Sequence, residues 1–321
     1  MHTILITRSI PAAALELLRR ELPGTLLVLH EAERAMTRGE LLERGRNIDA
    51  LICTLADNID ASALSALLRL RVIANYAVGT NNIDLDAARQ RGITVTNTPI
   101  VLTDATAETA VGLMLACARR FIEGDVLTRQ GRFTGWAPLF HLGHGVYGKT
   151  VGIVGAGRIG ARVARTMARG FDCRILYHNR NANPEFERET GARLCPLDEL
   201  LRQSDFVSLH CPLTPRTKHL IGSRALSLMK PTAYLINTAR GPVVDEQALI
   251  AALKAGTIAG AGLDVYEHEP ALAPGLAELK NVVLLPHIGS ATVETRETMG
   301  LMCSQAVIDV LHGREPKNRV V

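Results

Sequence analysis

The chain has 321 residues, 47% of them hydrophobic, which is enough for two cores of ordinary domain size. Its 36 Lys and Arg nearly balance 32 Asp and Glu, and no basic run is long enough for a nucleic-acid or membrane-surface patch. No apolar stretch approaches the roughly 20 residues of a membrane span, and residues 1–8 read as a strand, not a signal peptide.

Six scattered cysteines (Cys53, Cys117, Cys173, Cys195, Cys211, Cys303) show no Cys-x-x-Cys spacing. They imply reduced, buried thiols in a cytoplasmic protein and no metal site.

The first third of the chain alternates short apolar runs with helical patterns. Residues 3–7 predict a strand, and Pro11 opens a helix to Arg20 with Leu15, Leu17 and Leu18 on its apolar side. A strand at 26–29 follows, then a helix over 37–45 with Thr37 and Glu40 as its capping box. Next come a strand at 50–54, a helix from Asp60 to about Leu68, a strand at 72–75 and a helix from Asp84 to about Arg91. The last strand, at 94–96, ends at Asn97-Thr98-Pro99. Such alternation means parallel strands joined by helical crossovers, so residues 1–98 make one α/β unit. An Ala-rich helix over 103–121 leads out of it, and 124–148 is Gly-rich and irregular, with the single tryptophan Trp136.

Residues 149–160 open a second unit. The apolar run 151–154 predicts a buried strand, and Gly155, Gly157 and Gly160 follow with G-x-G-x-x-G spacing. Ile159, Val163, Ala164 and Met167 then recur at helical spacing, with Arg162, Arg165 and Arg169 between them. The first Gly makes a tight turn, the second admits a pyrophosphate close to the backbone, and the third lets helix pack on strand. The diphosphate then sits on the N–H groups of the helix N-terminus. Further strands are expected at 173–177, 206–209, 233–236, 258–262 and 282–285. The final helix, 291–312, follows everything the second unit needs and is expected to return to the first. The boundaries are therefore 1–98 with 289–321, a discontinuous flavodoxin-like substrate-binding domain, and 99–288, the dinucleotide-binding domain.

An acid about 20 residues past such glycines selects NAD by binding the ribose 2′-OH. Here His178-Asn179-Arg180-Asn181 follows the second strand and holds no acid. Arg180 would pair with a 2′-phosphate and Asn179 donate to it, which points to NADP(H), with NAD(H) the alternative.

Three polar residues end successive apolar strands: Arg240 before Gly241, Glu269 before Pro270, and His287 after Pro286. Ligands of doubly wound sheets bind at the carboxyl ends of strands, so the three should converge. An arginine fork holds a substrate carboxylate, and a protonated histidine hydrogen-bonds a ketone and gives its proton as hydride arrives. A carboxylate beside the histidine favours the protonated form and fixes the tautomer.

These segments resemble the D-isomer-specific 2-hydroxyacid dehydrogenases over nearly the whole length. The resemblance rests on the glycine loop, the Asn237-Thr-Ala-Arg-Gly-Pro-Val-Val-Asp245 and Ala261-Gly-Leu-Asp-Val-Tyr-Glu-His-Glu-Pro270 segments, and Leu285-Pro-His-Ile-Gly-Ser-Ala291. Tyr76-Ala-Val-Gly-Thr-Asn-Asn-Ile-Asp84, Thr98-Pro99 with residues 102–108, and the stretch from Trp136 are most similar to the glyoxylate/hydroxypyruvate reductases.

The resemblance implies two Rossmann-like, doubly wound parallel-sheet α/β domains with the active site in the cleft between them. It implies that Arg240 binds the substrate carboxylate, that His287 is acid in reduction and base in oxidation, and that Glu269 pairs with His287. Val78 and Gly79 would also hold the carboxylate, with Leu55, Ser290 and Trp136 at the substrate. His141 and His144 are further candidates to line that pocket. Gly155, Gly157, Arg158, Ile159 and Gly160 would take the diphosphate, and Asn179, Arg180 and Asn181 the adenosine ribose and phosphate. Thr106, Cys211, Pro212, Thr217, Thr238, Ala239, Asp264 and Gly289 would complete the cofactor site with Arg240 and His287. A homodimer is implied, made through helix 103–121 and the loop after it.

The expected reaction is reduction of glyoxylate or hydroxypyruvate to glycolate or D-glycerate, with NADPH preferred. Pyruvate and 2-ketogluconate also carry the required adjacent ketone, so a 2-ketogluconate reductase or another D-2-hydroxyacid dehydrogenase is the alternative. Phosphoglycerate dehydrogenase is disfavoured by the missing ribose-binding acid and the lack of a regulatory extension, and formate dehydrogenase by Glu269, where that branch has Gln. A cofactor-sensing corepressor scaffold shares the fold and keeps an Arg, a Glu and a His, but has basic tails and low-complexity segments not seen here.

Overall fold

The strand-forming runs are mostly three to five residues long and almost wholly apolar, as in sheets covered on both faces. The computed structural model describes residues 1–32 and 34–321, and the chain divides into two units, Met1–Leu102 with Ser290–Val321, and Thr103–Gly289.

In the first unit β1 (Thr3–Ile6), α1 (Ala12–Glu21), β2 (Leu26–Leu29), α2 (Arg38–Gly45), β3 (Ala50–Cys53), α3 (Ala61–Ala66), β4 (Val72–Asn75), α4 (Leu85–Gln90) and β5 (Thr94–Thr96) alternate as expected. The sheet is parallel in the order β2-β1-β3-β4-β5, one of the two common doubly wound orders. Helix starts follow the caps: Thr37 and Glu40 form the capping box, and the Asp60 and Asp84 side chains accept from Ala63 N and Ala87 N. Leu5, Leu51, Ile73 and Val95 from the strands meet Leu41, Leu64 and Leu67 from the helices. The C-terminal helix, Val293–Leu311, packs here too, and its Ser304 hydroxyl donates to the Ala14 carbonyl at 2.9 Å. The terminal residues then pair with β5 through a Thr96–Arg319 bridge.

The second unit starts with α5 (Thr103–Arg119), which ends two residues short of the expected boundary. Arg120 adopts the left-handed conformation (φ 55°), and a further helix, α6 (Phe121–Arg129), continues into the stretch expected to be irregular. The returning chain causes the break. His144 N takes the Ala118 carbonyl at 2.7 Å, His141 Nε2 meets the Arg120 carbonyl at 3.0 Å, and a Cβ on Gly143 would lie 2.3 Å from Ala118 O. Helix α6 buries no side chain, and an Arg129–Asp125 pair one turn apart supports it.

Then follow β6 (Thr150–Val154), α7 (Arg158–Phe171), β7 (Arg174–His178), α8 (Pro184–Thr190), β8 (Arg193–Leu194), α9 (Leu197–Gln203), β9 (Phe206–Leu209), α10 (Ser223–Leu228), β10 (Tyr234–Asn237), α11 (Glu246–Lys254), β11 (Gly260–Leu263) and β12 (Val282–Leu284). The sheet is parallel, β12-β11-β10-β9-β6-β7-β8, which is the Rossmann order with one strand added. Leu113, Met114, Val163 and Met167 cover one face; Leu200, Leu226, Leu249 and Leu253 cover the other. All six cysteines are buried and free.

Candidate active site

The order in which strands are added reverses between β6 and β9, where the glycine loop lies. Gly155 has φ 97°, and a Cβ there would sit 2.7 Å from Cys211 N in the turn after β9. A Cβ on Gly160 would lie 2.2 Å from Gly155 O, so strand and helix close on each other only through glycine. Around Gly157, by contrast, a Cβ would meet nothing within 4 Å. Gly157 is the N-cap of α7, offers no side-chain cap, and no acid stands in the first turn. The helix start thus has neither a capping side chain nor an acid to compete for its partial positive charge, as a diphosphate site requires. Arg158 and Ile159 begin the helix there.

The loop after β7 carries Asn179, Arg180 and Asn181. Asn179 Nδ2 donates to Asn181 O at 3.1 Å, which folds the turn, and Arg180 is exposed with no side-chain partner among the described residues. Thr238 and Ala239 are buried after β10, and Thr238 Oγ1 has no hydrogen-bond partner among the described residues. An orphaned buried hydroxyl is costly unless a ligand completes it. The cradle, the uncapped helix and the orphan hydroxyl together fit a dinucleotide.

Arg240, Glu269 and His287 follow β10, β11 and β12, which are adjacent strands. His287 Nδ1 stands 2.7 Å from Glu269 Oε2, and Glu269 Oε1 accepts from Tyr266 N at 3.0 Å. Because Nδ1 donates to a carboxylate, Nε2 is the nitrogen left for a ligand. His287 has φ 57°, unusual for a side chain of this size, and both following N–H groups are pinned: Ile288 N and Gly289 N each donate to Asp264 at 2.7 Å. A Cβ on Gly289 would come 3.0 Å from Asp264 Oδ2 and 3.4 Å from Thr106, so these three residues are packed together. Asn237, fully buried, accepts from Ala239 N and donates to Arg240 O, both at 3.0 Å, and one Arg240 N–H donates to Ala239 O.

Residues 111–289 match the family model for the D-isomer specific 2-hydroxyacid dehydrogenase NAD binding domain. The chain is 51% identical to a glyoxylate reductase of Thermococcus gammatolerans over 99% of its own length and 95% of the relative's. It superposes on a Thermus thermophilus crystal structure with a TM-score of 0.93 at 44% identity, covering 99% of this chain and 100% of that one. A second solved structure is an NADPH-dependent glyoxylate/hydroxypyruvate reductase from Sinorhizobium meliloti in complex with NADP and malonate. It gives a TM-score of 0.84 at 34% identity, covering 100% and 97%.

The chain belongs to the D-isomer-specific 2-hydroxyacid dehydrogenases. It is accordingly an oxidoreductase with a Rossmann domain for a nicotinamide cofactor.

In this dehydrogenase the Glu269–His287 pair sits among further ionisable groups, Arg240 and Asp264. Burial raises the Glu269 carboxyl, but the His287 hydrogen bond and charge, the Tyr266 N–H and Arg240 together bring it below its ordinary range. Burial pushes Asp264 up, against the Ile288 and Gly289 N–H groups and the His287 charge. Burial lowers the Arg240 guanidinium, with Glu269 opposing. Behind the glycine loop, burial pushes the Cys211 thiol up to about 11 and His210 down to about 4, so neither adds charge at neutral pH.

Other residues of the expected site fall out differently. Pro212 follows Cys211 in the turn against Gly155, but Thr217 Oγ1 donates to Pro212 O at 2.6 Å and accepts from Thr214 N at 2.8 Å, which spends it on its own turn. His144 Nδ1 meets Tyr234 OH at 2.7 Å, at the opening end of β10 and so at the opposite edge from Arg240. Trp136 is 84% exposed in the loop after α6.

In the first unit, Leu55 follows β3, Val78 and Gly79 follow β4, and Ser290 begins the C-terminal segment; all four are half-buried. Asn97 Nδ2 donates to Val78 O and Asn75 Nδ2 to Gly79 O, both at 2.8 Å. Both carbonyls of that turn are therefore taken by side chains, a setting that suits N–H groups used for an anion.

Sequence reasoning missed the supporting polar residues Asn75, Asn97, Asn237 and Tyr266. A buried Asn closing an apolar strand, as at 75 and 237, is the one signal that marks two of them.

Proposed function

We propose that the enzyme reduces glyoxylate and hydroxypyruvate to glycolate and D-glycerate, with NADPH preferred over NADH. The observation that carries this reading is the 2.7 Å His287–Glu269 pair, on strand ends adjacent to that of Arg240. Support for the substrates comes from the relatives' activities and from the single-carboxylate fork that Arg240 offers. Support for NADPH comes from the loop after β7, where residues 173–184 hold no carboxylate and Arg180 is exposed.

Bound NAD(P)H supplies the hydride. Arg240 holds the substrate carboxylate through two parallel N–H donors and draws charge from the ketone oxygen beside it. His287, protonated and held through Nδ1, gives the Nε2 proton to that oxygen as hydride reaches the carbonyl carbon. Overall, 2-oxo acid, NAD(P)H and one proton become 2-hydroxy acid and NAD(P)⁺. Glu269 keeps its negative charge and stabilises the imidazolium that the cycle regenerates.

A homodimer and a cytoplasmic location belong to the same proposal. Phe121, Ile122, Val126, Phe133 and Trp136 are exposed on α6 and the loop after it, a larger apolar surface than single scattered residues make. Six free, buried cysteines suit a reducing compartment. No helix among the described residues is long and apolar enough to cross a membrane.

The test is a steady-state assay with glyoxylate and with hydroxypyruvate, each with NADPH and with NADH, alongside light scattering for the dimer. Turnover favouring NADPH supports substrate size and cofactor loop together. Activity with NADH alone overturns the Arg180 assignment, and no turnover of either acid while NADPH binds overturns the substrate assignment in favour of larger 2-oxo acids.

A further inference from the structure

A second carboxylate pair, Glu246 at the start of α11 and Glu267 four residues beyond β11, lies outside the reacting groups. Glu246 opens α11 and is only 2% exposed. Its Oε1 accepts the Glu267 N–H at 2.8 Å, and Glu267 Oε2 accepts the Glu246 N–H at 3.3 Å. Each acid therefore holds the other's backbone. His219 Nε2 lies 2.5 Å from the remaining Glu267 oxygen, and His219 is itself held by its N–H to Pro242 O at 2.8 Å. A Cβ on Gly241, next to Arg240, would overlap the Tyr266 carbonyl carbon at 1.8 Å, so the two loops run in backbone contact.

Two acids this close repel each other, and a buried one costs more than an exposed one. The helix N-terminus and His219 offset part of that cost. A helix start needs no such arrangement, because Asp245 already caps α11 through Ala248 N at 3.0 Å. What the pair does hold is the segment 265–269. Glu267 points to the clamp, and two residues on Glu269 meets His287. Tyr266 anchors the same segment through its hydroxyl to Leu285 O at 2.7 Å and through its N–H to Glu269.

We infer that Glu246 and Glu267 form a reciprocal clamp that positions Glu269 against His287, making them positioning residues for the reduction. The inference rests on the assignment of Glu269 and His287 as the acid–base pair. The charged groups around His287 are Glu269 and Asp264, with Arg240 acting on Glu269; those around Glu246 are Glu267 and His268, with His219 on Glu267. A loosened clamp lets Glu269 drift from His287, so the imidazolium loses support and hydride transfer loses its proton donor at lower pH.

The experiment compares full-length Glu246→Ala, Glu267→Ala, Glu269→Gln and the Glu246→Ala/Glu269→Gln double variant in glyoxylate reduction by NADPH. Alanine removes the oxygen that accepts the facing N–H, which glutamine would keep. Circular dichroism and NADPH fluorescence check folding and cofactor binding, and Glu267→Ala, at the more exposed member, stands in if Glu246→Ala fails to fold. Either clamp variant should lower kcat roughly tenfold, with the KM for both substrates within about twofold. The high-pH limb of kcat/KM should move to lower pH, as in Glu269→Gln. The double variant should be no slower than Glu269→Gln alone, because coupled groups are not additive.

Wild-type kcat and an unmoved pH limb in both clamp variants, with Glu269→Gln impaired, overturn the clamp and leave the acid–base assignment standing. Losses that multiply in the double variant also overturn it. Normal turnover by Glu269→Gln overturns the acid–base assignment and the clamp with it.

Discussion

The Asp264 carboxylate accepts the Gly289 N–H at 2.7 Å, and its second oxygen accepts the Ile288 N–H at the same distance. The staple fixes the chain immediately after His287, whose φ of 57° carries a strain cost of about 1–2 kcal/mol. Asp264→Ala should release that conformation and leave the buried Gly289 N–H and the part-buried Ile288 N–H unpaired, costing about 2–4 kcal/mol in stability. Turnover of glyoxylate should fall further than stability explains, on the order of a hundredfold, because the proton donor is displaced. Asp264→Asn keeps one acceptor and should lie between. Denaturant unfolding and kcat measured side by side check this, and wild-type turnover in Asp264→Ala would mean that the backbone holds His287 without the staple.

The Glu269 carboxyl is held below its ordinary value of 4.5, despite a burial effect that acts the other way. A group depressed in the folded state contributes stability above its unfolded pKa, and that contribution is lost as pH falls through the folded value. Wild type should therefore exceed Glu269→Gln in stability by a constant margin from neutral pH to about 5, and the margin should shrink in more acid solution. Urea unfolding of both proteins between pH 3 and about 7 tests the sign. A margin that grew on acidification would contradict a carboxylate held ionised by His287 and Arg240.

Arg240→Ala should cost about 2–5 kcal/mol in kcat/KM for glyoxylate, since it removes the charged fork that holds the substrate carboxylate. NADPH affinity should change little, because the diphosphate cradle lies across β6 and β9 and not at Arg240. Arg240→Lys keeps the charge without the fork and should recover only part of the loss. Single-turnover kinetics with NADPH fluorescence separate the two effects.

Both sheets were legible in the sequence, apart from the two-residue edge strand β8, because their strands are mostly apolar runs and their caps carry strong local signals; β8 is Arg193-Leu194, too short and exposed to leave a pattern. Thr37 with Glu40, Asp60 and Asp84 sit where the pattern puts them. The glycine loop was legible for the same reason: close approach at Gly155 and Gly160 leaves no alternative residue. Arg240, Glu269 and His287 were legible as strand-end polar residues, but their spacing was not, since strand order is a tertiary fact. Helix α6 was missed because its one glycine, Gly124, and its exposed apolar side chains blur the helical period, and because the break at Arg120 depends on residues 141–144, some 20 positions on. The Asp264 staple and the Asn237 bracket were missed because a short polar side chain at the end of an apolar strand looks like an ordinary turn residue until the facing N–H groups are known.

Arg180 lies two residues past the end of β7, exposed, in a turn that Asn179 folds by donating to Asn181 O. No acid stands where a ribose 2′-OH would need one, so under the proposed NADPH preference a 2′-phosphate would meet a cation and two amides with nothing to repel it. A charged hydrogen-bonded pair of this kind contributes about 1.5–3 kcal/mol. Arg180→Ala should therefore raise the KM for NADPH by roughly 10- to 100-fold and change that for NADH by no more than about twofold. The complementary change, Asn179→Asp, places a carboxylate against the phosphate and should reverse the preference toward NADH. Equal losses for both cofactors in Arg180→Ala would mean that the arginine contacts the shared adenosine instead, and the preference would then have to come from the glycine loop.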